Sequence, residues 1–321
     1  MDLVTTRLLT AAGGIWTSYH LWKLATFVYL HFVRRGTLSR YNNSGNSHGR
    51  ASWALITGAS DGIGKGFAEE LCHRGFDVVL HGRNEAKLNA VKDTLMRQWP
   101  RRDVRIMVID AGSEAGDTSK LQAAVHQLRD INLTVLVNNV GGAGGIKPTW
   151  VSLDKRTSTE ITVFMDLNMR FPTEITRLLL PQLTRAKSAL IINVGSAAGI
   201  FPTPYLSVYS GSKAYNNAWS RSLRAEMIAE GHDVEVLCLL VGMVSTGSLP
   251  KATNLFCPSS RRMAQSSLDV VGCGRNEIWA YWPHALQFGL IGLLPEWLML
   301  RTVTGIAKKG KAHEEREAKQ S

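Results

Sequence analysis

The chain has 321 residues, 45% of them hydrophobic and 20% charged, and a formal net charge of +11 at pH 7. That is ordinary composition for a globular protein with a sizeable core. A basic surplus favours anionic partners, but the lack of zinc-finger spacing and of a Lys/Arg-rich recognition helix argues against nucleic acid, and four cysteines without a CxxC pair (Cys72, Cys238, Cys257, Cys273) argue against a metal site or disulfide framework.

Residues 8–33, LLTAAGGIWTSYHLWKLATFVYLHFV, are mostly apolar and aromatic. As a helix rising about 1.5 Å per residue they would reach across a bilayer core of about 30 Å. Trp16, Tyr19, Trp22 and Tyr29 suit the bilayer interface, whereas His20, Lys23 and His31 do not suit its centre. A spanning or embedded membrane-anchor helix is the expectation; an amphipathic helix lying on the membrane and a soluble docking helix stay open. Arg34, Arg35 and Arg40 follow directly, which favours a cytosolic position for everything downstream.

From residue 51 the pattern alternates. Short β-rich runs at 53–57, 77–81, 104–109, 134–138, 189–194 and 234–240, with a possible last strand at 277–281, are separated by helix-length amphipathic segments at about 63–74, 85–98, 117–130, 160–186 and 207–230. Strand, helix, strand in repetition predicts an α/β fold, a Rossmann-like doubly wound parallel sheet flanked by helices. The expected organisation is an anchor at 1–40, a polar linker at 41–50, a catalytic domain at 51–250, a substrate-pocket and last-strand region at 251–305 and a charged, solvated tail at 306–321. Within the fourth of these, the apolar stretch 286–300, interrupted by Pro295, reads as a helix facing a substrate pocket or a membrane, or as plain packing.

ITGASDGIG, residues 56–64, lies between the first predicted strand and the first helix, with glycines at Gly58, Gly62 and Gly64. Glycine allows a tight turn and close approach of a pyrophosphate, and the following helix offers free N–H groups and the positive end of its dipole. The second strand ends in LHGRNEAKL. It has no acid at 81–83 for a ribose diol and has Arg83 within reach, which suits the 2′-phosphate of NADPH.

In VYSGSK, residues 208–213, Tyr209 and Lys213 stand four apart at the start of a predicted helix and so share a face. A phenol of pKa near 10 is a sluggish acid at neutral pH, and a neighbouring ammonium should lower that value. Ser196 follows the fifth predicted strand, thirteen residues before Tyr209, where its hydroxyl can hold a substrate oxygen.

The order TGxxxGxG, NNxG, Ser196 and YxxxK resembles the short-chain dehydrogenase/reductase family. Longer stretches, among them WALITGASDGIGKGFAEELCHRGFDVVLHGRNEAKL, FPTEITRLLLPQL and WPHALQ, resemble its fungal very-long-chain 3-oxoacyl-CoA reductase and 17β-hydroxysteroid dehydrogenase branch, over residues 24 to 300 or so. The resemblance implies a catalytic tetrad of Tyr209, Lys213, Ser196 and Asn168, the last ordering a relay water. It also implies cofactor contacts from Gly58, Ser60, Gly62, Ile63, Gly64, Arg83, Asp110 (to the adenine amino group, or else a turn residue), Asn138, Tyr209, Lys213 and Thr246. Gly141 matches the family's NNAG turn, where Val140 replaces alanine, and Val241 replaces a proline before the Thr246 loop. The implied activity is NADPH-dependent reduction of a lipophilic ketone by an enzyme anchored in the endoplasmic reticulum membrane and facing the cytosol, and the family's usual dimer surface at 160–186 and 207–230 implies a homodimer. A 3-oxoacyl-CoA is the leading substrate. A terpenoid, sterol or polyketide ketone or alcohol is the second reading, and a catalytically silent cofactor-binding scaffold the third.

Overall fold

The β-rich runs pair side by side as parallel strands in the computed structural model, which describes residues 2–42, 51–112, 118–143, 145–247 and 251–320. The strands are β1 (Ser52–Ile56), β2 (Asp77–Gly82), β3 (Val104–Val108), β4 (Asn132–Asn138), β5 (Ala189–Val194), β6 (Val234–Leu239) and the short β7 (Glu277–Ile278). Their order across the sheet is β3-β2-β1-β4-β5-β6-β7. Every residue of β1, β2 and β5 is buried, as expected when helices cover both faces of a parallel sheet.

Helices α2 (Gly62–His73) and α3 (Glu85–Gln98), with a later α8 (Ser260–Asp269), supply Phe67, Leu71, Leu88, Leu95, Met263 and Leu268 to the core on one face. On the other face lie α4 (Thr118–His126), α6 (Phe171–Leu183) and α7 (Ser207–Ala229), with Leu121, Phe171, Ile175, Leu179, Leu223 and Met227. The single helix expected over 160–186 is two. α5 (Ser158–Met165) passes through one π-helical turn, Asp166–Arg170, before α6 begins. Such a wide turn inserts a residue and shifts the phase of every side chain after it.

The chain order reverses between β1 and β4, so the loops leaving these two strands diverge and leave a crevice at their carboxyl ends. Thr57 joins the two ends. Its backbone N–H donates to the Val137 carbonyl at 2.9 Å, and its hydroxyl accepts from the N–H groups of Asn139 (2.9 Å) and Val140 (3.0 Å) while donating to the Val137 carbonyl at 3.2 Å.

The N-terminal helix differs from the expectation. α1 runs Leu3–Val28, followed by a π-helical turn at Tyr29–Val33, and none of its residues is buried. Among the described residues no helix is long and apolar enough to cross a membrane. Arg7, His20, Lys23 and the interspersed threonines, serine and glycines dilute its apolar content.

The expected boundary between anchor, linker and domain also moves. Leu30, Leu38 and Tyr41 sit in the same core as Phe67, Leu71 and Phe76. The Arg34 guanidinium and the Thr37 N–H donate to the Val271 carbonyl at 2.8 and 3.1 Å. Arg40 forms a two-pronged ion pair with Asp233 at 2.6 and 2.7 Å, and the Tyr41 hydroxyl donates to the Glu235 carboxylate at 2.5 Å. The catalytic body thus begins near residue 30, and Tyr41, expected in a polar linker, is a core residue. The remainder of that linker, from residue 43, lies outside the described residues.

At the other end, the 286–300 stretch is divided between α9 (Trp282–Ile291) and α10 (Glu296–Gln320), with the break at Gly292–Pro295. The tail expected to be solvated belongs to α10, and its Glu314 accepts hydrogen bonds from the catalytic body.

Leu38→Ala should lower unfolding free energy by about 2–5 kcal/mol, the usual effect of emptying a buried leucine site, whereas deleting residues 2–28 should leave it within about 1 kcal/mol. Denaturant unfolding of both variants checks this contrast.

Candidate active site

The turn after β1 is shaped by its glycines. Gly58 and Gly62 hold φ of +67° and +58°, and a methyl added at Gly64 would lie 2.2 Å from the Gly58 carbonyl oxygen. The loop can therefore close only with glycine at Gly64. Asp61, at the N-cap of α2, makes no side-chain capping bond, unlike Asn84, Thr157 and Ser259 at the caps of α3, α5 and α8. The first N–H groups of α2 are thus left without a side-chain cap beside a glycine cradle, which fits a pyrophosphate. Thr246, from the loop after β6, packs against Gly62, and the Asp61 carboxylate lies against Gly247. That loop thus covers the glycine turn.

Two supports of this turn were not read from the sequence. Asn139 donates its side-chain amide to the carbonyls of Thr57 (2.9 Å) and Gly58 (3.2 Å). His81, at the end of β2, is fully buried; its Nδ1 accepts the Gly58 N–H at 3.3 Å and its carbonyl accepts the Ala59 N–H at 2.8 Å. The ring stacks on Phe171 at 4.8 Å, and burial pushes its pKa down to about 4, so it stays neutral. No local pattern marks His81, which reads as one more residue in a strand.

One position expected to face a cofactor is otherwise engaged. Asn138 is buried, and its amide donates to Thr176 (2.9 Å) and Asn193 (2.8 Å), between β4, β5 and α6. Its neighbour Asn139 is the one that meets the glycine turn. Asp110 accepts the Gly112 N–H at 3.0 Å, the turn role left open above. Arg83 is exposed at the end of β2 and reaches across the crevice mouth, its guanidinium 3.5 Å from where a Cβ on Gly145 would stand. Ser60 and Ile63 lie in the glycine turn as expected, Ser60 oxygen near Gly82.

The remaining four residues gather at the carboxyl ends of β4 and β5. Ser196 follows β5 and caps a short turn, its hydroxyl accepting the Ala198 N–H at 3.2 Å. Tyr209 and Lys213 lie on the first turns of α7, with the Lys213 ammonium 5.8 Å from the Tyr209 ring centre. Lys213 is buried and donates to the Val194 carbonyl at 2.9 Å. Asn168 is buried in the π-helical turn. Its amide donates to the carbonyls of Phe164 and Gly142, both at 2.9 Å, and its oxygen accepts the Gly142 N–H at 2.9 Å. Gly141 is the meeting point, because a Cβ there would stand 2.8 Å from the Asn168 oxygen and 3.1 Å from the Lys213 nitrogen. A π turn at a functional position is a recurring device, and here it brings Asn168 to the same point as the α7 lysine.

The electrostatics depart from the sequence reading. Burial raises the Tyr209 pKa, with the Ser196 hydroxyl offsetting part of the rise. Burial pushes Lys213 down to about 8. The expected lowering of the phenol by the ammonium is not what this geometry gives, because Lys213 is tied to Val194 and burial of the phenol outweighs it. At neutral pH the arrangement is a protonated phenol next to a largely protonated amine, poised to donate a proton.

The loop after β6, where Val241 stands in place of proline, is held from α9. Buried His284 accepts the Gly242 N–H through Nδ1 at 3.2 Å, and its Nε2 lies 3.1 Å from the Met243 carbonyl and 3.3 Å from that of Phe256.

The family model for short chain dehydrogenases matches residues 52–254. Among curated relatives, the very-long-chain 3-oxoacyl-CoA reductase of Kluyveromyces lactis is 36% identical over 76% of this chain and 71% of its own length. That of Neurospora crassa is 31% identical over 86% and 82%. In fold the chain is similar to a short-chain dehydrogenase of Sphingobium yanoikuyae solved with NADPH (TM-score 0.60, 24% identity, 76% of this chain and 97% of that one). It is also similar to a 7β-hydroxysteroid dehydrogenase (TM-score 0.67, 18% identity, 79% and 97%). With the glycine turn, the Ser196–Tyr209–Lys213 group and a family match across most of the sheet, the chain belongs to the short-chain dehydrogenases, NAD(P)-dependent oxidoreductases that act on C=O and CH–OH groups.

Proposed function

We propose that the protein reduces a very-long-chain 3-oxoacyl-CoA with NADPH at the endoplasmic reticulum membrane, its catalytic body on the cytosolic side. The observation that carries the reaction is the convergence of Ser196, Tyr209, Lys213 and Asn168 beside the β1–β4 crevice. The names of the fungal relatives support an acyl substrate, whose chain would enter at the narrow seam beside Tyr209 lined by Val151, Arg156, Phe164, Leu206 and Val208.

The glycine turn and the N-terminus of α2 would hold the pyrophosphate of the dinucleotide, and Arg83, exposed where an acid is missing, would face the 2′-phosphate. When bound, the cofactor supplies a hydride. The protein's part is then to place a carbonyl and to deliver a proton. Ser196 donates to the carbonyl oxygen and so favours charge developing there. Tyr209, kept protonated by burial, gives its proton to that oxygen. The Lys213 ammonium stabilises the phenolate left behind, and Asn168, fixed by three hydrogen bonds, holds the path for reprotonation beside it. Membrane attachment rests on α1, whose aromatic and apolar side chains (Ile15, Trp16, Trp22, Leu24) are all solvent-exposed in the isolated chain. The 2–28 deletion is its test, since the deleted chain should leave the membrane fraction; retention there would discard the anchor.

Tyr209→Phe should cut ketone reduction by about 10²–10⁴-fold, the usual weight of a general acid, while NADPH still binds and quenches protein fluorescence; a variant with full turnover sinks the mechanism. Arg83→Asp should move cofactor preference from NADPH toward NADH in the ratio of kcat/KM values, and an unchanged ratio removes Arg83 from cofactor selection. Lys213 carries its charge below its pKa of about 8 and loses it above. The kcat/KM for reduction should therefore hold to about pH 8 and decline beyond. Because the folded value lies below the 10.5 of the free side chain, the folded state binds fewer protons than the unfolded state in that window, so the Lys213 contribution to stability rises with pH there. Activity falling without loss of stability, read from a pH–rate profile and parallel melting curves, separates titration from unfolding.

A further inference from the structure

The last turns of α10 lie on two loops that meet at Tyr209. Glu314 accepts the Thr149 N–H with both oxygens, at 2.7 and 2.9 Å, and the Trp150 N–H at 3.0 Å. One turn earlier the helix backbone at Gly310 lies flat on the Trp150 indole, where an added methyl would stand 2.8 Å from the ring. Beside it the Lys311 ammonium sits 4.8 Å from the centre of the Tyr205 ring. Tyr205 has φ of +67°, the one side-chain-bearing residue with positive φ among those described. For a bulky residue that conformation is strained and persists only where surrounding contacts hold it.

The two loops gripped in this way are the walls of one pocket. Val151, Arg156 and Phe164 form one side, and Tyr205, Leu206, Ser207 and Val208 lead along the other to Tyr209. Arg156 stiffens the first wall: its side chain is buried, donates to the Thr149 carbonyl, lies 3.5 Å from the Glu160 carboxylate and covers the Phe164 ring. Among the described residues, none of α10 lines this pocket. The helix reaches the chemistry through Thr149–Trp150 on one side and Tyr205 on the other. The Glu314 carboxyl is held below its usual range, since the Thr149 and Trp150 N–H groups and Lys147 outweigh its partial burial.

We propose that the C-terminal turns of α10 are a strap that sets the substrate cleft, with Glu314 and Lys311 as positioning residues that hold its two walls against each other at Tyr209. This rests on the assignment of that pocket to the acyl substrate. The walls pack on each other where α5 meets α7, but the loops that lead into them, 149–151 and 203–206, are also tied through α10 and keep their spacing best while it is seated. The strap therefore governs how well a long chain is gripped and leaves the glycine turn, on the far side of the crevice, alone.

The test uses the full chain as Glu314→Ala, Glu314→Gln and Lys311→Met. Glu314→Ala removes a carboxylate that accepts from two backbone N–H groups, and it should raise the KM for a long-chain 3-oxoacyl-CoA about tenfold or more. The kcat and the NADPH dissociation constant should each stay within about twofold. Glu314→Gln, which keeps an acceptor oxygen, should recover part of the loss. Amide hydrogen exchange, which needs no substrate, should speed up in 146–151 and 203–208 together and leave 56–64 unchanged. Exchange unchanged in either wall overturns the strap, as does an equal rise in the constants for acyl-CoA and NADPH. If the unaltered protein turns over no acyl-CoA, the substrate assignment fails, and the exchange measurement alone decides whether α10 holds the walls.

Discussion

A single buried hydroxyl ties together the carboxyl ends of the two central strands. Thr57 directly follows β1, and its hydroxyl spends all its hydrogen-bonding capacity on the end of β4, donating to Val137 and accepting from Asn139 and Val140. Parallel strands next to each other at a reversal of chain order have no direct connection, so their ends are free to splay. Here they are pinned. With that point fixed, the glycine turn leaves on one side, and the Gly141–Gly142 turn leaves on the other toward Asn168 and Lys213. Asn139 adds a second tie by bonding back to Thr57 and Gly58. Cofactor cradle and proton donor keep their spacing because both loops start from the same knot.

The chemistry depends on dryness as much as on spacing. Withdrawal from water raises the Tyr209 pKa and lowers that of Lys213, so each group is driven toward its neutral form. A neutral phenol is the form that can give a proton to a ketone oxygen. A lysine near the point of losing its own charge responds strongly to any anion placed beside it, including the phenolate formed when Tyr209 has reacted. His81 follows the same rule at the base of the glycine turn, where neutrality lets Nδ1 accept a backbone N–H.

What could be read from the sequence was whatever has a short period or a fixed spacing. Strand runs, the glycine spacing and the Tyr209–Lys213 pair are local, and they are found where expected to within a residue or two, except that β7 stops three residues short of the run at 277–281. What could not be read depends on contacts distant in the chain. NNVGG does not say which asparagine turns outward; Thr176 and Asn193 claim Asn138 and leave Asn139 to the glycine turn. An amphipathic run over 160–186 hides a π turn, because one inserted residue barely disturbs the apolar pattern. The phenol's acidity is not legible in the sequence, because proximity of a cation is visible in the spacing and loss of water is not. Tyr41 and Glu314 stand in polar stretches and were assigned to solvent, yet Glu235 claims the first and two backbone amides the second.

The docking of residues 34–41 onto the body has a mechanical corollary. α1 is 26 residues long, a lever of about 39 Å, and it enters the body through a packed joint fastened by Arg34, Arg40 and Tyr41. A chain hung from a slack tether samples every tilt. One mounted on a stiff stalk meets any surface at a set attitude, so the height and heading of the cleft above that surface are built into the joint.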